Sequence, residues 1–220
     1  MGEEMKAETS PSPSLQAPSL QVEKAAQVIA ALLKNGRNNE ENRLKLSKLV
    51  WAADRYSIRS QGALVTQSPY SAMFYGPVPS IPLTMMRDSS EYLPPADIAY
   101  AREHFDKTEH GIILIADPGD DLLSPLDEKW INKAESNFRG MDRWKLATEV
   151  SHRYPEWKKF ADFFAQPENR KSRRQIDETD FFYNPDGHDR YFALPPEQLA
   201  MAKELYDYQK SILGDLGVLV

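Results

Sequence analysis

The chain has no cysteine among its 220 residues. That excludes a disulfide scaffold, a thiolate zinc site and a cysteine nucleophile, and it suits a reducing compartment, so a cytoplasmic location is the expectation. Histidine is sparse: His104, His110, His152 and His188 are scattered, without the helical two-histidine spacing or HExxH pattern of a metal centre. Glycine is never grouped, and isolated Gly62, Gly76 and Gly111 make no phosphate-cradling loop. Long apolar runs are missing too. Ile112 to Ala116 falls far short of the roughly 18 residues a membrane helix needs, and the N-terminus has no basic-then-apolar signal pattern. A membrane-spanning or secreted protein is therefore not expected. Positive charge is in deficit, 27 Lys plus Arg against 33 Asp plus Glu, which argues against nucleic acid as the principal partner.

What is present suffices for one well-filled core, with hydrophobic residues at 41%. Residues 1–20 carry Pro11, Pro13, Pro18 and four serines with few large hydrophobes, so they read as a disordered tail. Val22, Ala25, Ile29, Leu32 and Leu33 then recur at helical spacing until Asn35-Gly36. A second helix is predicted from about Glu40 to Ser60. It has one stripe of Leu46, Leu49, Val50, Ala53 and Tyr56 and another of Leu44, Trp51 and Ile58, so it is either central or faces a partner, with the central position favoured. Gly62 to Pro82 reads as extended chain, with short strands at Ala63–Thr66 and Tyr70–Tyr75. The prolines around Gly76-Pro77-Val78-Pro79 predict a rigid shape without long ladders.

Ile112–Ile115 is a third strand, closed by Asp117-Pro118-Gly119-Asp120. Ser124-Pro125-Leu126-Asp127 is a helix start with an N-cap serine, a first-turn proline and a carboxylate three residues on. Trp130, Ile131, Ala134 and Phe138 follow on one face. Short helices are predicted up to His152, through Leu146, Ala147 and Val150, and from Pro155, through Trp157, Phe160, Ala161 and Phe164. Phe181 to Leu194 is aromatic and irregular, and Pro195 opens a last helix with Leu199, Ala202, Leu205, Tyr206 and Ile212. The expected fold is α+β, mainly α-helical, with a small antiparallel sheet near 63–66, 70–75 and 112–115.

No residue set supplies a nucleophile with its base, so neither an enzyme nor a cofactor is expected. Asp117, Asp120 and Asp121 belong to a turn in preference to a Mg²⁺ site. His152 is expected to cap a helix C-terminus. Arg170, Lys171, Arg173 and Arg174, with Asp177, Glu178 and Asp180 close behind, read as a solvated mixed-charge loop. The distinctive feature is the aromatic, proline-rich run. Tyr70, Met73, Phe74, Tyr75, Pro77, Val78 and Pro79 are candidate partner-binding residues, although core packing uses the same residue types.

Leu46-Ser47-Lys48-Leu49-Val50-Trp51-Ala52-Ala53-Asp54-Arg55-Tyr56, then Gly62, then Tyr70-Ser71-Ala72-Met73-Phe74-Tyr75-Gly76-Pro77-Val78-Pro79 form an ordered series. Leu123-Ser124, Leu146-Ala147, Ser151-His152 and Pro155-Glu156-Trp157 continue it. Together they resemble the Panacea domain, the SocA-like and GepA-like antitoxin family, over roughly Val22 to Ala165. Trp51 stands where the family usually has Tyr, and Gln67-Ser68-Pro69 replaces a Thr-Gly-Asp-like turn. The resemblance implies a Panacea domain at 21–166 and does not speak for 167–220, which is expected to be a C-terminal extension that ends in a helix and packs on the same domain. It implies Lys48, Asp54, Gly76, His152 and Trp157 as structural positions of the family motif. It also implies an antitoxin that neutralises a cognate protein toxin by direct contact. The alternative is a proteolytic adaptor that delivers the toxin to an ATP-dependent protease, for which the N-terminal tail is the sequence support.

Overall fold

The computed structural model describes residues 17–89 and 93–215. Residues 1–16 of the expected tail lie outside that range, but its last residues are part of the fold. Ser19 caps helix α1 (Leu20–Lys34) by accepting from the Val22 N–H, and its own N–H donates to Asp97 Oδ1 at 2.6 Å. The tail therefore cannot extend to residue 20. Helix α1 ends at Asn35, as its apolar spacing and the Asn-Gly stop predict.

Helix α2 (Arg43–Gln61) starts later than expected. Asn42 is its N-cap and accepts from the N–H groups of Leu44 and Lys45. Glu40 and Glu41 are excluded from the helix because they form strand β1 (Glu40–Glu41), in register with Ile113 and Ile112. Every residue of α2 from Lys45 to Arg59 is buried, so both apolar stripes face protein and α2 is the central helix. It ends at Gly62, whose φ of 72° lies in the left-handed region and whose N–H donates to the Ile58 carbonyl.

The β content of the described residues is two small three-stranded antiparallel sheets, so the fold is mainly helical α+β. One joins β1 to a strand at Ile112–Leu114, which pairs in turn with one at Phe105–Lys107. The other is a hairpin of β2 (Tyr70–Met73) and β3 (Gly76–Pro79), extended on the β2 side by a strand at Arg174–Gln175. Ala63–Thr66 is not a strand. Side chains of α2 take up its backbone groups: Ser57 Oγ donates to the Ala63 carbonyl, and the Thr66 N–H donates to Asp54. The Tyr70–Tyr75 strand is also shorter than expected, because Phe74 and Tyr75 form the turn and Gly76 follows with φ of 104°.

Ser124 and Asp127 form the expected capping box, opening a helix at Pro125–Phe138 that packs along α2. Beyond Gly140 the backbone makes a π-helical turn (Lys145–Val150), a 3₁₀ turn (Ser151–Arg153) and short helices at Pro155–Lys158 and Ala161–Ala165. A long helix at Pro196–Asp215 lies against α2 and exposes Met201, Leu205, Tyr208 and Ile212. Phe181, Phe182 and Phe192 are core residues. The Phe192 ring sits 4.4 Å from Tyr56, 5.1 Å from Tyr154 and 5.5 Å from Trp51.

Candidate functional site: an aromatic hairpin and its clamp

The residues of the aromatic, proline-rich run divide by position. Tyr70, Pro77, Val78 and Pro79 are buried, Met73 and Phe74 are half-buried, and Tyr75 is 45% exposed at the turn. The base of the hairpin is tied to α2 through Asp54. Its Oδ2 accepts from the Tyr70 hydroxyl and the Thr66 hydroxyl at 2.6 Å each, and its Oδ1 accepts from the Thr66 N–H at 2.9 Å. Burial lifts the Asp54 pKa to about 6, while these hydrogen bonds pull the other way.

A buried clamp grips the other end. Trp157 Nε1–H donates to the Met73 carbonyl at 2.7 Å, and Lys48 Nζ donates to the Pro77 carbonyl at 2.6 Å. One bond lands on each strand, on either side of the turn. Gly76 passes between them with no room for a side chain, since a Cβ there would lie 2.8 Å from Lys48 Nζ and collide with Ser151 Oγ. Ser151 Oγ in turn donates to the Ala147 carbonyl at 2.6 Å. The motif positions Lys48, Gly76, Ser151-His152 and Trp157, scattered over more than a hundred residues of chain, thus meet at one place.

His152 is not a helix cap. The turn before it is π-helical and is closed by Ser151, while the imidazole lies flat on the Trp157 indole, with centroids 3.4 Å apart and planes 4° from parallel. Burial pushes Lys48 well below the usual lysine range. It lowers His152 to about 4, and the nearby Lys48 amine acts in the same direction. In both, burial disfavours the charged form.

A second tie was not apparent from the sequence. Arg55 is fully buried and bonds Glu156, also fully buried, at 2.6 Å, with its guanidinium 4.1 Å from the Tyr154 ring centroid. Trp51 Nε1–H donates to the same carboxylate at 3.0 Å. One helical turn further on, Arg59 donates to the carbonyls of Phe181 and Tyr183 at 2.7 and 3.0 Å and to Asn184 Oδ1 at 2.6 Å. The only sequence signal was two arginines at i, i+4 within an otherwise apolar helix, which marks a polar row without naming its partners.

At the surface, the tip is an aromatic cluster. Tyr75 meets Trp144 edge-on at 5.2 Å and Phe74 at 5.0 Å, and Trp144 is also 45% exposed. The guanidinium of Arg143 stands 5.5 Å from the Trp144 ring, and that of Arg170 stands 5.2 Å from Phe74. Trp144 was missed in the sequence, where an aromatic between Arg143 and Lys145 has no periodic pattern. The 170–174 cluster is more than a solvated loop, because Arg174 joins the hairpin sheet and lies 4.0 Å over Phe163. Asp117 and Asp121 are engaged within and around their turn, by the Gly119 N–H and by Gln27 respectively. Among the described residues, no group of three or more His, Cys, Asp or Glu is placed to hold a metal, and no helix is long and apolar enough to cross a membrane.

The fold and site define a mainly helical α+β protein in which a buried polar clamp presents an aromatic hairpin turn. The family model described as "Antitoxin SocA-like, Panacea domain" matches residues 46–158, and the chain belongs to that family. The match spans α2 from Leu46 onward, the hairpin and the clamp, and membership assigns the chain an antitoxin role. No curated protein and no solved structure matches the chain.

Proposed function

We propose that this antitoxin neutralises its cognate toxin by direct, stoichiometric binding without catalysis, and that the hairpin turn with Trp144 is the contact. The supporting observation is the pairing of two aromatics, each 45% exposed and 5.2 Å apart, on a turn held by buried hydrogen bonds. A turn ordered before binding loses little entropy on association, and Tyr and Trp are the residue types that most often anchor protein partners. The buried Tyr70, Pro77, Val78 and Pro79 then serve the hairpin's shape, and Phe74, Tyr75 and Met73 supply its surface.

The test is a titration of toxin inhibition by purified antitoxin in the absence of any protease, alongside affinities for Tyr75→Ala and Trp144→Ala. Inhibition should saturate at one antitoxin per toxin. Each substitution should weaken binding by about 2 kcal/mol, roughly thirtyfold, with an unchanged melting temperature. Inhibition that needs an ATP-dependent protease would favour the adaptor alternative, and full affinity in both variants would remove the turn from the interface.

A further inference from the structure

In a chain of net charge −6, segments 142–145 and 162–175 hold six basic side chains against three acidic ones. The fold brings both segments to the hairpin turn. Arg143 lies beside Trp144, Trp144 beside Tyr75, Tyr75 beside Phe74 and Phe74 beside Arg170. Arg174, in register with Ala72 of the hairpin, covers Phe163. The result is a band in which cations flank a continuous row of rings.

Elsewhere on the surface many cations are paired with carboxylates: Lys34 with Asp117, Arg102 with Asp88, Lys158 with Asp186, Lys203 with Asp207. Among the described residues, Arg143, Lys145, Arg170 and Arg174 have no carboxylate at ion-pair distance. The adjacent Asp142 has its Oδ1 committed to the N–H groups of Trp144 and Lys145, at 2.8 and 3.1 Å.

We propose that this band docks an acidic segment of the toxin that also carries apolar side chains. The proposal rests on the direct-binding reading and adds the chemistry of the partner. A guanidinium that lies over a ring keeps its N–H edge free for a carboxylate, and the rings beside it supply apolar anchoring. Unpaired cations on an otherwise acidic protein give the complementarity that orients an acidic partner. A single-stranded nucleic acid would also use aromatics and arginine, but it needs ring faces open for base stacking. Here Trp144, Tyr75 and Phe74 meet at interplanar angles of 62° and 72°, edges against faces. Arg170 and Arg174 lie beyond the family match at 46–158, so the extension supplies part of the charge that selects the partner.

The experiment measures toxin binding by the full chain and by its Arg143→Glu/Arg170→Glu double variant at 0.1 and 0.5 M salt, with melting temperatures and with competition by polyglutamate, polylysine and a uridine 15-mer. The double variant should bind at least tenfold more weakly at low salt, mainly through a slower association rate. That gap should narrow at high salt, and the melting temperature should not move. Polyglutamate should compete by occupying the band and polylysine by masking the acidic segment of the toxin, and the RNA should not compete. Wild-type affinity in the double variant, or competition by the RNA in place of polyglutamate, would overturn the acidic-partner proposal while leaving direct binding intact. No one-to-one complex between wild-type antitoxin and toxin would overturn the direct-binding reading itself. Loss of affinity in Met201→Ser/Tyr208→Ser, with none in the double variant, would move the interface to the exposed face of the C-terminal helix.

Discussion

Two side chains at opposite ends of the hairpin, the half-buried His152 and the buried Asp54, respond to acid in opposite senses. His152 has a pKa of about 4 in the fold against an ordinary 6.5, so the unfolded chain binds its proton more readily. Stability from this group is complete above pH 6.5 and is lost as pH falls through 4. Asp54, raised to about 6 from 3.8, binds its proton more readily in the fold, so its contribution declines as pH rises from 3.8 through 6. The two slopes oppose each other between about pH 4 and 6. Replacing one group should therefore expose the other. His152→Gln should gain stability relative to wild type as pH is lowered from 6.5 to 4, and Asp54→Asn should gain relative to wild type as pH is raised from 4 to 6. Differences in melting temperature across that range, variant minus wild type, give the check. A His152→Gln difference that does not change with pH would show that the ring is as easily protonated folded as unfolded.

The hairpin is short, and its geometry depends on what grips it from outside. Trp157 does this with an indole N–H on the Met73 carbonyl, while its face carries His152 and its far side approaches Phe164 at 5.9 Å. Trp157→Phe keeps an aromatic face but leaves the carbonyl without its donor, a cost of about 1 to 3 kcal/mol. Trp157→Ala removes the packing as well and should cost about 3 to 5 kcal/mol. Denaturation midpoints rank the two, and amide exchange at 73–76 should quicken in both. Gly76 is a separate constraint. Its φ of 104° and the Ser151 and Lys48 atoms beside it make Gly76→Ala strained and overpacked at once, so a loss of more than 1 kcal/mol is expected, by roughly the scale of such substitutions. A Gly76→Ala variant as stable as wild type would show that the clamp has slack.

For the molecule as a whole, the segment after residue 166 contributes side chains to the core, among them Ile176, Phe181, Phe182 and Phe192. Phe192 lies among Trp51, Tyr56 and Tyr154, with Phe138 at 5.8 Å, and Arg59 bonds the chain around Phe181 to Asn184. Truncation after 166 would uncover Trp51 and leave two buried arginines short of acceptors, so the shortened chain should not fold cooperatively. Phe192→Ala tests the same packing more gently and should lower stability by about 3 to 5 kcal/mol in a single cooperative transition. Calorimetry of both chains is the measurement. Two separate transitions in the full chain would instead show that the extension melts on its own.

The features legible in the sequence were those whose partners lie within a few residues. The Ser124–Asp127 capping box spans three positions, Asn35-Gly36 stops α1 locally, and the apolar spacing of α2 marks it as a helix with two buried sides. The ordered series of motif residues likewise identified the family without coordinates. Tertiary structure decided everything that depends on a distant partner. Glu40 and Glu41 became a strand because Ile112 and Ile113 supply the other half of the ladder. Thr66 stayed out of a sheet because Asp54 claimed its N–H, and Phe74 and Tyr75 became a turn because Gly76 reverses the chain beside Lys48 and Ser151. Nothing in the local sequence around Glu156 names its partner, yet Arg55, about a hundred residues earlier, makes it a buried ion pair. Local patterns carry backbone preference and the face a residue presents. They cannot say which buried donor meets which acceptor, because that pairing forms only when packing has removed water from both.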